Sequence, residues 1–355
     1  MKILFLAPYP KYITPSQRFR FEHYLPELEK TGIRYTYKTF VEKEDYNLIF
    51  QPGNTLRKAF VMLKGAVRRF FTLFTIGRYD YIYIHREAAP FGPPVLEWWM
   101  AKVCGKKIIY DFDDAIWVPL SSEANPIASK IKCTWKVARI CKWSYITTVG
   151  NDYLAQFAGR YCKKVIVIPT VVNTDELHNK MKDQTDQPLT IGWTGTFTNF
   201  YNLEKIVAPV NRLQEKYNCR FLIIADKDPQ FPQLKYEFIK WNKETEIDDL
   251  IKLNVGLMPL KNTEVEMGKC GFKAIQYLSL GIPAVVSPVG ANCKVVLNNV
   301  TGLWAETEED WYKNMELLIN DAAKRISMGR EARQHIIQQY SVAATSTVFL
   351  HLFTK

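Results

Sequence analysis

The 355-residue chain is long enough for two domains of ordinary size, and its 47% hydrophobic content supplies two cores. Net charge is +11, and the whole excess lies in the first half, with 26 Lys/Arg against 14 Asp/Glu through residue 172. Such a basic half suits nucleic acid, an anionic membrane surface or an acidic substrate, and with no nucleic-acid fold signature beside it no nucleic-acid partner is expected. Seven cysteines without CxxC pairs or Cys/His metal spacing suggest free thiols in a reducing, cytoplasmic setting. The apolar run after Met1 is too short for a signal peptide, and no run of ~18 uncharged apolar residues offers a spanning helix.

Ile3–Ala7 reads as a first buried strand. A proline-rich loop follows, then Gln17-Arg18-Phe19-Arg20 opens a helix to Lys30, with at most one of the two arginines on the ligand side. Ile33–Phe40 alternates like a strand. Leu56–Ile76 interleaves Arg57, Lys58, Lys64, Arg68 and Arg69 with phenylalanines. It reads either as a basic amphipathic helix at an anionic membrane surface or as a domain helix with one buried face. Tyr79–Ile84 is a strand ending in His85-Arg86-Glu87, where polar residues of an open α/β sheet meet ligand. The next strand, Lys107–Tyr110, ends in Asp111-Phe112-Asp113-Asp114, which looks like a metal site, a ligand-facing carboxylate or simple capping. Lys164–Pro169 is a strand running into the link between domains.

The second half restarts the βα alternation. Leu189–Trp193 is a strand, Thr194-Gly195-Thr196 a turn, and Asn202 onward a helix. Phe221–Ala225 is a strand ending at Asp226, and Glu244–Asp249 is a polar stretch before a helix and the strand that leads to Pro259. In Glu266–Gly290 a loop with Gly268 and Gly271 precedes a helix from Phe272 to Leu280, stopped by Gly281 and Pro283, and then a buried strand, Ala284–Ser287. Lys269 and Lys273 at that helix start suit a diphosphate, and the Gln276 amide, on the face of Lys273, suits sugar hydroxyls. Trp304–Gln339 reads as helix, and an amphipathic run through Leu352 closes the chain.

The stretch Gly268–Lys273, then Gln276-Tyr277-Leu278, then Gly281–Asn292 resembles the nucleotide-sugar signature of the retaining glycosyltransferases of family 4, the glycosyl transferases group 1. The resemblance implies an α/β GT-B architecture of two doubly wound Rossmann-like domains facing a cleft. An acceptor-binding domain would span 1–172, a nucleotide-sugar-binding domain 173–340, and a C-terminal helix, 341–355, would cross back to the first domain. It implies sugar transfer from a nucleotide diphosphate sugar to a glycan or lipid-linked acceptor, with no metal cofactor. Lys269, Lys273 and Asp113 then take catalytic roles. Gly195, Thr196, Asp226, Glu246, Gly271, Phe272 and Gln276 face the donor, and Arg18, His85 and Arg86 the acceptor. The family's paired glutamates fall on Gly268 and Gln276, and the basic pair that usually follows the Thr194–Thr196 turn is not evident. An epimerase of the same fold and a non-catalytic nucleotide-sugar binding protein are the alternatives. Envelope or capsule polysaccharide assembly, at the inner face of the membrane, is the setting the family suggests.

Overall fold

The computed structural model describes residues 1–51, 53–119 and 133–354. These form two compact units, Met1–Thr170 with Ser346–Lys355, and Val171–Thr345. Each is built on one parallel six-stranded sheet, the arrangement that apolar runs alternating with helices dictate.

In the first unit the strands are β1 (Lys2–Ala7), β2 (Arg34–Thr39), β3 (Tyr81–His85), β4 (Lys107–Phe112), β5 (Ile146–Val149) and β6 (Val165–Val167). Their spatial order is β2-β1-β3-β4-β5-β6. The chain reverses its winding between β1 and β3, and ligands of open α/β sheets bind beyond the carboxyl ends of the strands at such a point. Phe5 lies 5.4 Å from Phe21, and Phe349 of the last helix, Val342–His351, stacks on Tyr24 at 4.3 Å. The expected helix from Gln17 to Lys30 is broken. It runs Pro15–Arg20, passes through a turn at Glu22–Tyr24 and resumes at Leu25–Lys30, where Pro26 sits in a first turn that needs no N–H donor.

In the second unit the strands are β7 (Thr190–Gly195), β8 (Arg220–Ala225), β9 (Glu237–Lys240), β10 (Val255–Met258), β11 (Ala284–Val286) and β12 (Gly302–Trp304). Their order, β12-β11-β10-β7-β8-β9, is that of a Rossmann sheet, and the reversal falls between β7 and β10. Trp193, Leu203, Val210, Phe221, Leu257 and Trp311 are central to the core. Strand β9 has no counterpart in the sequence reading: it is a four-residue edge, with Glu237 and Lys240 exposed at its ends. The expected helix from Trp304 to Gln339 starts later, because Trp304 ends β12, and it is two helices, Glu308–Asn320 and Ala322–Gln339. Thr307 with Asp310 caps the first and Asp321 the second.

Candidate functional site

In the second unit the reversal point is furnished by the end of β7 and the start of the Phe272–Ser279 helix. Tyr277 anchors that helix. Its ring lies on Gly256 of β10, where any Cβ would meet ring carbon at 2.3 Å, and its hydroxyl accepts the Thr194 N–H at 2.8 Å. Gly271 takes φ +71° at the N-cap, a left-handed conformation that glycine adopts without strain. The loop before it therefore turns sharply and brings Lys269 and Phe272, both half-buried, to the helix start.

Lys273 reaches β7. Its Cε would lie 2.8 Å from a Cβ on Gly195, and its ammonium stands 5.5 Å from the centre of the Trp193 ring. The missing side chain at Gly195 leaves room for both the Trp193 ring, 2.4 Å from where a Cβ would stand, and the lysine stem that crosses the strand end. Thr196 Oγ1 is 2.8 Å from Thr198 Oγ1 and accepts from Asn199. Asp226 accepts the Phe197 N–H at 2.7 Å, so its carboxylate builds the turn after β7.

The structure brings two expected donor residues together. Gln276, 3% exposed, donates its amide to Glu246 Oε1 at 3.2 Å, and Glu246, 6% exposed, also faces the Trp241 indole N–H. The Gln276 side chain thus has a buried protein partner. Two residues escaped the sequence reading. Lys205 donates to the Leu260 carbonyl, just beyond β10, at 2.9 Å, and so adds a cation on the other side of the reversal point. Its position on the helix after the Thr194–Thr196 turn was the available signal. Glu266, 1% exposed, is held by the Tyr201 and Thr263 hydroxyls.

In the first unit the ends of β3 and β4 carry the polar residues. Asp111 is buried and accepts from Arg20 at 2.6 Å, Thr148 at 2.8 Å and His85 Nδ1 at 2.7 Å. Burial alone would raise its carboxyl; the Arg20 charge and the His85 bond outweigh this and hold it well below the usual carboxylate range. With Nδ1–H given to Asp111, His85 turns Nε2 to the Ser16 hydroxyl 2.8 Å away, and this chain ties the first turn of the Pro15–Arg20 helix to the sheet. Arg86 adopts φ +60°, rare for a residue with a side chain, and donates to Asp113 at 2.9 Å and Asp114 at 2.6 Å.

The aspartate cluster is therefore an ion-pair site. Among the described residues no group of three His, Cys, Asp or Glu side chains is arranged to hold a metal ion. Asp113, expected as a catalytic carboxylate, is neutralised by Arg86. Arg18 and Arg20 are both buried, at 4% and 1% exposure, because the short helix lies against the sheet; neither stands open toward an acceptor. A cavity of about 280 Å³ opens beside this reversal point, lined by Pro8, Tyr9, Met62, Arg86, Glu87 and Lys136, among others.

Parallel sheets with these two strand orders, and a lysine-bearing helix start at the second reversal point, define the fold as that of the GT-B glycosyltransferases. Residues 188–321, within the second unit, match the family model described as Glycosyl transferases group 1. A D-inositol 3-phosphate glycosyltransferase of Corynebacterium aurimucosum is 34% identical over 85 residues, which is 23% of this chain and 20% of that relative. Sucrose-phosphate synthase from Thermosynechococcus elongatus aligns with a TM-score of 0.72 at 14% identity, over 99% of this chain and 98% of that one. Anabaena HepE in complex with UDP and glucose aligns with a TM-score of 0.70 at 12% identity, over 99% of both chains.

Proposed function

We propose that this protein is a retaining glycosyltransferase that moves a sugar from a nucleotide diphosphate sugar to an acceptor hydroxyl, in assembly of an envelope or capsule polysaccharide. The observation that carries the proposal is Lys273 crossing Gly195 at the β7/β10 reversal point, inside the matched glycosyl transferases group 1 segment. The HepE complexes with UDP and UDP-glucose make a uridine diphosphate sugar the first donor to try.

In this reading Lys269, Lys273 and the start of the Phe272–Ser279 helix stabilise the departing diphosphate, with Lys205 as a further cation. The bond from the anomeric carbon to the phosphate oxygen breaks, and the acceptor oxygen bonds that carbon on the same face. The departing phosphate takes the acceptor proton. Binding energy is spent on positioning and charge, as a reaction without a covalent enzyme intermediate requires. The first unit supplies the acceptor site, with the Tyr9–Arg86–Lys136 cavity as its pocket, and a lipid carrier at the inner face of the membrane presents the acceptor.

Incubation of the pure protein with radiolabelled UDP-sugars tests the proposal. Transfer to added glycan, or slow donor hydrolysis, is the expected result. An isomerised sugar would make the protein an epimerase. Tight donor binding without turnover would make it a binding protein, the reading that Gly268 in place of a carboxylate favours.

A further inference from the structure

The Thr55–Leu73 helix is amphipathic the wrong way round for a domain helix. Its buried positions are Val61, Gly65, Arg69 and Thr72. Gly65 is pressed against the Phe40 ring, and the Arg69 guanidinium donates to the carbonyls of Ala7, Lys38 and Ala88 at 2.7–3.0 Å. Lys64 and Arg68 are also engaged, on Glu42. The outward face is apolar. Leu56, Phe60, Leu63, Val67, Phe71 and Phe74 follow one another at steps of three and four and are 45–87% exposed. An apolar stripe about 28 Å long, by the rise of a 19-residue helix, is left in water.

Two further features say what covers it. Residues 46–79 contain no Asp or Glu, and Arg57 and Arg78, near the two ends of the stripe, are exposed. The Val95–Trp98 helix packs beside the stripe helix, and Val95, Trp98 and Trp99 are themselves 42–57% exposed. Aromatic and aliphatic side chains flanked by exposed arginines, with the nearby Glu42 and Asp45 carboxylates already paired to Lys64 and Arg68, complement an anionic bilayer interface, where Trp and Phe sit at headgroup depth. Among the described residues no helix is long and apolar enough to cross a membrane.

We infer that the outer face of the Thr55–Leu73 helix lies in the surface of an anionic phospholipid membrane. The inference deepens the proposed function and rests on it for one point: Met62 of the same helix lines the acceptor pocket, so a lipid-borne acceptor would reach that pocket from the surface. Docking depends on the phenylalanines, with the exposed arginines adding a salt-sensitive part. It does not depend on Lys64, Arg68 and Arg69, which the fold already uses.

Co-sedimentation with phosphatidylglycerol-containing vesicles, beside phosphatidylcholine vesicles, tests this, with UDP binding measured by calorimetry on the same samples. The wild-type protein should pellet with the anionic vesicles and retain part of that binding at high salt. Phe60→Ser with Phe71→Ser and Phe74→Ser should lose it at least tenfold at unchanged melting temperature and unchanged UDP affinity. Arg57→Gln with Arg78→Gln should weaken binding about tenfold at low salt only. Wild-type protein that stays in the supernatant, or a triple serine variant that pellets fully, overturns the inference. A dimer that the serine variant dissociates would overturn it too, by assigning the stripe to a second copy. Failure of UDP binding with vesicle binding intact would instead count against the donor reading alone.

Discussion

At the scale of single residues, Lys273 and Gly195 form one device. A side chain at position 195 would meet the buried Trp193 ring at 2.4 Å and the lysine stem at 2.8 Å, so Gly195→Ala should lower the melting temperature as well as displace Lys273, whereas Lys273→Ala should act on turnover alone. Lys273→Ala is expected to lower kcat roughly 10²–10³-fold, the loss typical of removing one preorganised donor from a developing anion. Lys269→Ala should act in the same direction. Unchanged turnover in both lysine variants would remove the diphosphate from this place. Gln276 shows where the sequence misleads. Read alone, its amide is available to a ribose. In the structure it is given to Glu246, so Gln276→Glu would set two buried carboxylates about as close as the present 3.2 Å contact. Like charges so placed cannot both ionise, and the variant should melt several degrees below wild type. Gln276→Met should be tolerated better than Gln276→Glu. Equal melting curves for all three proteins would dissolve the pair.

At the scale of elements, most strands were legible because buried parallel strands announce themselves as short apolar runs between turn residues, but the short edge strands β9 and β12 were not. The ends of the strands were legible as well: His85, Arg86, Asp111 and Gly195 lie where the runs stop. Which ligand each faces was not, since pairing depends on neighbours brought from far along the chain, as Arg20 is to Asp111. The Thr55–Leu73 helix is the sharpest case. Its period identifies a stripe, but a period does not say whether the stripe turns in or out. Only the seat of Gly65 on Phe40 and of Arg69 on three carbonyls decides that. Gly65→Ala tests the seat. The added methyl would lie 2.5 Å from Phe40 Cε1, and Phe40 is itself packed with Val41 and Val61. The substitution, mild in an exposed helix, should here cost about 1–3 kcal/mol, as overpacking does. A variant as stable as wild type in urea would mean that the helix rides loosely on the sheet.

At the scale of the whole molecule, the division into two α/β units follows from length and from the restart of the βα pattern after Pro169, both visible in the sequence. The charge asymmetry was visible too, but its use was not. Several of the first unit's cations are spent inside the fold: Arg20 on Asp111, Arg86 on Asp113 and Asp114, Lys136 on Glu87. This spending has a pH signature. Burial, with the Arg18 charge second, pushes His23 down to about 3, and no hydrogen-bond partner meets its Nδ1. The unfolded chain, with an ordinary histidine near 6.5, binds more protons between those two values, so stability falls as pH drops through about 6.5 toward 3. Asp111 acts lower. Its carboxyl is held below the ordinary value of about 3.9, so the stability it contributes is present above that value and is lost as pH falls beneath it. The melting temperature should therefore decline in two stages on acidification. His23→Phe, which keeps a ring against Phe19, should flatten the stage above pH 4 and leave the lower one. Asp111→Asn should remove the lower stage and cost about 3–5 kcal/mol at neutral pH, because Arg20 stays buried without its counter-charge. Melts that are flat from pH 7 to 4 in the wild-type protein would show that His23 is protonated in the folded state and that this corner of the first unit opens to water.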